Sequence, residues 1–272
     1  MPRAKLILSD IDSTILPAGQ AQVSPRTRAA FHAAREAGIV IGPASGRGFA
    51  QIAPFFANDI ACYSTAIATN GLEVYHDGVR ICVQPLERTA LEATLAALAN
   101  IPRAGLICFD GAHPLLVAGE RADLAERMPS YATACDEVDA LPLGQVVKAN
   151  VFMGGDALTT EELCVRLSRA VPELDFDIPL PGYLNIMPAG WNKGSAVRRL
   201  CDHLHIGLDE VVVFGDAGND LTMFEVVDHA VAVANATPEA AAAARWHIGR
   251  CEDETVAAAI EALAVGEWPF EA

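Results

Sequence analysis

The sequence is poor in basic residues, with 19 lysines and arginines against 35 aspartates and glutamates and a formal net charge of −16. Such a chain repels nucleic-acid phosphates and anionic lipid headgroups, so we expect neither as a partner. It also lacks an uninterrupted apolar run of the roughly 20 residues that a membrane-spanning helix needs. The apolar run near the amino terminus is too short for a signal peptide, so a cytoplasmic location is expected.

Close cysteine pairs are absent as well. The seven cysteines are scattered singly, without the spacing of a zinc site or a redox-active dithiol, and we expect reduced thiols in the core. What the chain does have is length and apolar content: 272 residues, of which 52% are hydrophobic, can bury one large core or two modest ones. No internal repeat and no linker of biased composition divides the chain.

Strand-like and helix-like segments alternate at both ends of the chain. An apolar strand at residues 5–9 precedes a helix, and a second apolar strand follows at 39–47. Residues 207–224 and 229–245 repeat the order of strand, loop and helix. This alternation predicts an α/β fold, a Rossmann-like doubly wound parallel sheet with helices on both faces. Ligands of such sheets bind beyond the carboxyl ends of the strands.

The middle of the chain mixes the two kinds of segment differently. Residues 86–99 and 159–170 are helix-like, and short strand-like runs lie between and after them. We expect a second, α+β domain over residues 84–185, inserted into a core domain that is formed by residues 1–83 and 186–272.

Two aspartates, Asp10 and Asp12, follow the first strand. A carboxylate at Asp10 is ionised at neutral pH, because the unperturbed pKa of aspartate is about 3.9. It can therefore act as a nucleophile or a metal ligand. By itself, however, the pattern also fits a polar loop that ends a strand.

A second acidic loop, "GDAGND" (215–220), follows another apolar strand and contains Asp216, Asn219 and Asp220. If both strands are central in one parallel sheet, Asp10 lies close to Asp216 and Asp220 at the carboxyl edge. Three carboxylates suit an octahedral magnesium ion, which would neutralise a phosphate group.

Two further segments carry groups that bind anions. The Ser45 hydroxyl and the backbone amides of Ser45 and Gly46 end the second strand, where a helix is expected to follow and to attract an anion. Lys193 stands at the start of another helix and brings a cation to the same edge, although its charge opposes the helix dipole there. Taken singly, each also fits a purely structural role.

Together these segments resemble the four signature motifs of the haloacid dehalogenase superfamily of phosphohydrolases, here Asp10-x-Asp12, Ser45, Lys193 and Asp216 to Asp220. The long gap between the second and third motifs resembles the Cof-like subfamily, whose members carry a large inserted cap domain. "TNGLEVYHDG" and the closing segment are also similar to that subfamily. Ser13 and Ser45 stand where glycine and threonine are commoner. Ser45 keeps a hydroxyl, whereas the effect of Ser13 is left open.

The resemblance implies a Mg²⁺-dependent phosphatase that hydrolyses small phosphomonoesters, such as sugar phosphates, through an aspartyl-phosphate. Asp10 would be the nucleophile and Asp12 the general acid and base. The resemblance also implies a magnesium site formed by Asp10, Asp12, Asp216 and Asp220. The phosphate group would be bound by Ser45, Gly46, Lys193 and Asn219.

Two alternatives remain open. A phosphomannomutase-like enzyme shares this core and the Asp-x-Asp pair, but it needs several cations in the inserted domain for a second phosphate, and this domain has few. A non-catalytic binding module would require dispensable motif residues. Within the superfamily, an acid at Asp12 excludes the dehalogenase and phosphonate-cleaving branches.

The resemblance further implies that the inserted domain closes over the substrate and sets specificity. Weaker candidates for substrate contacts there are residues 179–185, His113 and Lys148 to Asn150. We expect a monomer or a homodimer whose partner is a small phosphorylated molecule.

Overall fold

The computed structural model describes residues 4–270, which belong to two compact units. One unit is formed by the chain up to Val83 and from Asn192 onward, and the other is the segment Gln84–Trp191. The fold class expected from the sequence, an α/β core with an inserted α+β domain, is confirmed.

The strands, in chain order, are β1 (Leu6–Ser9), β2 (Val40–Pro43), β3 (Ala66–Ala68), β4 (Glu73–His76), β5 (Val79–Val83), β6 (Ala104–Asp110), β7 (His113–Ala118), β8 (Asp136–Glu137), β9 (Ala149–Met153), β10 (Leu174–Leu180), β11 (Tyr183–Pro188), β12 (Val211–Gly215), β13 (His229–Ala232) and β14 (Trp246–His247). The α-helices are α1 (Pro25–Glu36), α2 (Phe49–Ile52), α3 (Arg88–Leu98), α4 (Arg121–Arg127), α5 (Pro129–Ala134), α6 (Thr160–Ala170), α7 (Lys193–Leu204), α8 (Leu221–Phe224), α9 (Pro238–Ala243) and α10 (Thr255–Ala264). No helix within residues 4–270 is long and apolar enough to span a bilayer.

The core unit contains a five-stranded parallel sheet in the order β14-β13-β12-β1-β2. Its strands are almost continuously buried because helices cover both faces. Ile7 packs in the cluster that includes Phe31 of α1 and Ile260 of α10. Leu8, which points to the other face, packs in the cluster that includes Leu200 of α7. A doubly wound sheet therefore forms, as its apolar runs predicted.

The core unit also contains an antiparallel sheet, β3-β4-β5. Asp77 and Gly78 form the tight loop between β4 and β5, and both have positive φ. Asn70 and Gly71, which have the same sequence signature, instead lie in a 3₁₀ turn after β3. Their positive φ values, 53° and 105°, bend the chain at that point.

The inserted unit is built on a six-stranded sheet in the order β10-β11-β9-β6-β7-β8, which is antiparallel except between β7 and β8. Helix α3 contacts β6 and helix α6 contacts β10, whereas α4 contacts β9 and α5 contacts β7. This unit runs to Trp191, six residues past the expected boundary at 185. The reason is that β11 continues to Pro188 while pairing with β10.

Candidate active site

Three loops leave the core sheet at the same edge because their strands are in register. Ser9 on β1 is level with Phe214 on β12 and with Pro43 on β2. Asp10, one residue after Ser9, and Ser45, two residues after Pro43, thus emerge beside the loop that follows β12. The Asp10 amide donates to the Phe214 carbonyl (2.9 Å), which continues the strand pairing up to the carboxylate.

A buried ion-pair cluster occupies this edge. The Lys193 ammonium lies 2.7 Å from Asp10 Oδ1 and 2.6 Å from Asp220 Oδ1, and Lys193 and Asp220 are almost fully buried. The two carboxylates explain why a lysine is tolerated at the start of α7, where the helix dipole disfavours a cation. Burial alone would lower the pKa of Lys193, but the charges of Asp10 and Asp220 outweigh it and raise that pKa.

The position of Lys193 depends on a close backbone approach. Gly71 has φ +105°, and a Cβ at this residue would lie 2.3 Å from the carbonyl oxygen of Asn192. The Asn192 side chain caps α7 by accepting from the Ser195 amide (2.9 Å). Only glycine fits this contact, so the "TNG" turn helps to set where α7 begins.

Asp216 and Asp220 have different surroundings. Asp216 Oδ1 accepts from the Thr14 hydroxyl (2.8 Å). Asp220 Oδ2 accepts from the backbone amides of Asp216 (2.9 Å) and Ala217 (3.1 Å), while its Oδ1 accepts from Lys193. Both Asp220 oxygens are thus engaged in holding the loop and the lysine.

The donor set of this edge fits a divalent cation. One carboxylate oxygen from each of Asp10, Asp216 and Asp220 lies within 4.8 Å of the others. Burial raises the pKa of Asp10 to about 8 and that of Asp216 to about 6, despite the Lys193 charge near Asp10 and the Thr14 hydrogen bond to Asp216. The raised pKa values mean that Lys193 alone does not fully stabilise the ionised carboxylates, and a hard divalent cation bound to their oxygens would do so.

Asp12 lies outside this buried cluster. Its half-exposed carboxylate accepts two hydrogen bonds from Arg47, at 2.9 Å from Nε and 2.7 Å from Nη2. The Arg47 guanidinium also lies over the Phe55 ring, 4.2 Å from its centroid. Arg47 was not predicted from the sequence as a site residue, although it directly follows Ser45 and Gly46 in "ASGR".

The Ser45 loop differs from the expected anion cradle in two ways. The Ser45 amide donates to the Ile67 carbonyl (2.8 Å), so the expectation that it binds an anion is wrong. The helix that follows, α2, begins only at Phe49 and has four residues, which is too short for a strong dipole. The Ser45 side chain is buried at the edge, and its hydroxyl accepts from the Arg47 amide (3.2 Å).

Asn70 connects the Ser45 loop with the acidic loop. Its backbone amide donates to the Ser45 carbonyl (3.0 Å), and its side-chain oxygen accepts from Asn219 Nδ2 (3.3 Å). A Cβ on Gly46 would lie 3.1 Å from the Asn70 side chain. The sequence pattern marked Asn70 only as a turn residue, so its contribution to this edge was also missed.

Ser13 adopts φ 61°, in the left-handed region. A residue with a Cβ pays about 1 kcal/mol or more there, which glycine avoids. The loop is held in place by Asn235, whose Nδ2 donates to the Ser13 carbonyl (2.7 Å) and whose Oδ1 accepts from the Cys251 amide (2.9 Å). The serine that replaces the commoner glycine at position 13 therefore affects the backbone conformation of the loop, and the contacts of Asn235 hold the loop in that conformation.

Comparison with known proteins decides the family. A family model described as haloacid dehalogenase-like hydrolase matches residues 7–260. The chain belongs to this family. The Cof-like resemblance found in the sequence is confirmed.

Curated relatives of this hydrolase cover nearly its whole length. A 5-amino-6-(5-phospho-D-ribitylamino)uracil phosphatase of Escherichia coli is 27% identical over 98% of both chains. An HMP-PP phosphatase of Serratia proteamaculans is 28% identical over 93% of both. A solved phosphatase from Bacteroides thetaiotaomicron superposes with a TM-score of 0.83 at 18% identity, covering 96% of each chain, and shows the fold alone.

Proposed function

We propose that this hydrolase is a Mg²⁺-dependent phosphatase of small phosphomonoesters that works through an aspartyl-phosphate. The observation that carries the proposal is the buried cluster in which Lys193 bridges Asp10 and Asp220, with a carboxylate oxygen of Asp216 inside the same 4.8 Å group. Several curated relatives are named as phosphatases, which supports the same activity.

In the proposed first step, a carboxylate oxygen of Asp10 attacks phosphorus and the bond to the ester oxygen breaks. Asp12 donates a proton to the leaving oxygen. In the second step Asp12 takes a proton from water, whose oxygen displaces Asp10 from phosphorus and releases inorganic phosphate. Arg47 directs the Asp12 carboxylate through its two hydrogen bonds.

Mg²⁺ would be held by Asp10 and Asp216, with the Asp12 carbonyl as a further ligand. When bound, it would supply positive charge to the phosphoryl oxygens. Asp220 would act through the groups that it holds, because both its oxygens are engaged. Lys193, the Ser45 hydroxyl, Gly46 and Asn219 would bind the phosphate oxygens.

Phosphate release separates this proposal from the alternatives. Purified protein with Mg²⁺ should release inorganic phosphate from a panel of sugar phosphates and from p-nitrophenyl phosphate. Interconversion of hexose phosphates without phosphate release would indicate a mutase. If neither reaction is observed, the remaining alternative is a non-catalytic binding module. Two arginines of the inserted domain are already engaged, since Arg103 pairs with Asp123 and Glu126 and Arg121 pairs with Glu137. These pairs make both arginines poor candidates for binding a second phosphate, which favours hydrolysis over mutase chemistry.

Replacing Asp12 should separate the two chemical steps. In Asp12→Asn, steady-state turnover should fall by roughly 10²–10⁴-fold, because no general base activates water. With p-nitrophenyl phosphate, whose leaving group needs no proton, a burst of p-nitrophenolate equal to the enzyme concentration should remain in stopped-flow traces. If the burst disappears together with turnover, Asp12 has a role beyond proton transfer.

Magnesium should stabilise the protein more at pH 8 than at pH 5. The folded-state pKa values of Asp10 (about 8) and Asp216 (about 6) exceed the ordinary value of 3.8. The folded state thus binds more protons than the unfolded state between these values, and metal-free stability falls as pH rises. Mg²⁺ competes with those protons, so its effect grows with pH.

Thermal unfolding of EDTA-treated protein measures this effect. At 100 times its dissociation constant, a ligand adds about 2.7 kcal/mol, or roughly 5–10 °C for a chain of this size. Asp216→Asn should lose most of the magnesium-dependent shift. A shift that is the same at both pH values and survives this substitution would contradict the assignment.

A further inference from the structure

A second group of metal-ligating side chains lies in the core unit. One ligand atom from each of His32, Asp59 and Cys62 lies within 4.8 Å of the others. Within the described residues this is one of two such groups, and it shares no member with the acidic cluster at the sheet edge. It also differs from that cluster in chemistry, because it offers nitrogen, oxygen and sulfur instead of oxygen alone.

The backbone brings the three side chains together from two segments. Asp59 caps the 3₁₀ turn Ile60–Cys62, and its side chain accepts from the Ala61 amide (3.3 Å). The Cys62 amide donates to the Asp59 carbonyl (3.0 Å), and side chains three apart in such a turn lie nearly in line. His32 comes from α1, which contacts this turn. Cysteine spacing does not reveal the group, because His32 precedes Asp59 by 27 residues.

Asp59 is the centre of the group. Its Oδ2 lies 2.7 Å from His32 Nε2. Its charge also acts on the Cys62 thiol, whose pKa is raised to about 12 by burial and by this carboxylate. Because the thiolate is the reactive form, such a thiol is a poor nucleophile at neutral pH, which argues against a catalytic Cys–His pair. A coordinated metal ion, in contrast, displaces the thiol proton outright.

The exposure of the three side chains gives a metal ion a path to them. Cys62 is fully buried and closes the group on the core side, whereas the side chains of His32 and Asp59 are 45% and 31% exposed. A tetrahedral zinc ion, with bonds of about 2.0–2.3 Å, holds its ligand atoms about 3–4 Å apart. Small movements of the half-exposed His32 and Asp59 side chains therefore suffice to reach that geometry.

We propose that His32, Asp59 and Cys62, called here the zinc triad, bind a zinc ion with water as the fourth ligand. Bonds form from the metal to the Cys62 sulfur, to a ring nitrogen of His32 and to a carboxylate oxygen of Asp59, and the thiol proton is released to solvent. The bound ion ties α1 to the turn Ile60–Cys62. The inference does not depend on the proposed phosphatase activity.

The ligand set and its surroundings select zinc over magnesium. Magnesium prefers six oxygen ligands, whereas thiolate and imidazole suit zinc. The guanidinium groups of Arg28 and Arg35 lie close enough to act on the Cys62 thiol. They do not oppose the ion, because Zn²⁺ with one thiolate, one carboxylate and one neutral imidazole has no net charge.

Cobalt(II), which adopts the same tetrahedral sites as zinc and absorbs light, tests the sulfur ligand directly. Metal-free protein in excess Mg²⁺, which occupies oxygen-only sites, should bind one Co²⁺ per chain and develop a thiolate-to-cobalt charge-transfer band. Added Zn²⁺ should remove the band. Cys62→Ala should abolish it, whereas Cys201→Ala, which removes another buried cysteine of the core unit, should retain it.

His32→Gln gives a second test at a half-exposed position, where the substitution leaves the core intact. Zinc affinity, measured by competition with a chromogenic chelator, should fall by about 10–100-fold or more, since even the loss of a group that only supports a ligand costs that much. His247→Gln, which replaces an exposed histidine of the same unit, is the matched control. A missing charge-transfer band in the unsubstituted protein, or equal zinc affinity with and without His32→Gln, would overturn the zinc triad.

Discussion

Asp10→Asn should reduce phosphate release by about 10⁴-fold or more, since it removes the proposed nucleophile. The amide keeps the shape of the side chain, and its oxygen can still accept from the Lys193 ammonium, which lies 2.7 Å from Asp10 Oδ1. Binding groups elsewhere at the edge are unchanged. The loss should therefore appear in kcat, with a much smaller change in the affinity for substrate.

The same substitution should not destabilise the metal-free protein at pH 8. Burial raises the pKa of Asp10 to about 8, so the folded state favours the protonated side chain and loses stability as pH rises above the ordinary value of 3.8. A neutral asparagine escapes this loss, and the buried Lys193 ammonium keeps its ion pair with Asp220 (2.6 Å). Asp10→Asn should then unfold at an equal or higher temperature than the unsubstituted protein at pH 8, while being inactive.

Steady-state phosphate release and thermal unfolding, measured on the same preparation, test both parts. Asp253→Asn, an exposed aspartate outside the acidic cluster, is the matched control and should keep full activity. Activity above a few per cent in Asp10→Asn would sink the nucleophile assignment. Lost activity together with a lower unfolding temperature would point instead to a structural role for Asp10.

The sequence predicted the sheet edge well because its signals are local. Short apolar runs followed by Asp10 and Asp216 indicate strands and the loops after them, and parallel pairing brings such loops together without further information. The same reasoning placed Lys193 at the start of a helix. It did not explain why a cation is tolerated there, because the two carboxylates that hold it come from distant segments.

What the sequence did not reveal depends on backbone conformation. The Asn70 side chain reaches Asn219 from a left-handed turn, and Ser45 loses its amide to the bridge with Ile67. Arg47 reaches Asp12 from the following loop. No periodicity in the sequence predicts such contacts, since they depend on φ and ψ at single residues.

The boundary at 185 was placed too early because the sequence does not show which strands pair. The pairing partners of a strand, not its composition, assign it to a sheet.

Lys193→Met should both abolish turnover and destabilise the fold, by about 3–5 kcal/mol, the usual cost of leaving a buried charge without its partner. Asp10 and Asp220 would then face one another without the ammonium that separates them. Asp10 could relieve the repulsion by binding a proton. The destabilisation should consequently be larger at pH 8 than at pH 5, because the buried Asp10 carboxyl, whose pKa is already raised, must ionise at the higher pH.

Urea unfolding at the two pH values measures this difference. Adding Asp220→Asn to Lys193→Met should recover part of the lost stability, because it removes one of the uncompensated charges; such non-additivity is expected of groups in direct contact. Lys5→Met is the matched control: Lys5 also forms a 2.7 Å ion pair, with Glu210, but it is half-exposed. Water screens that pair, so its loss should hardly move the midpoint. Equal effects of the two lysine substitutions would mean that burial of the Lys193 cluster does not control its energetics.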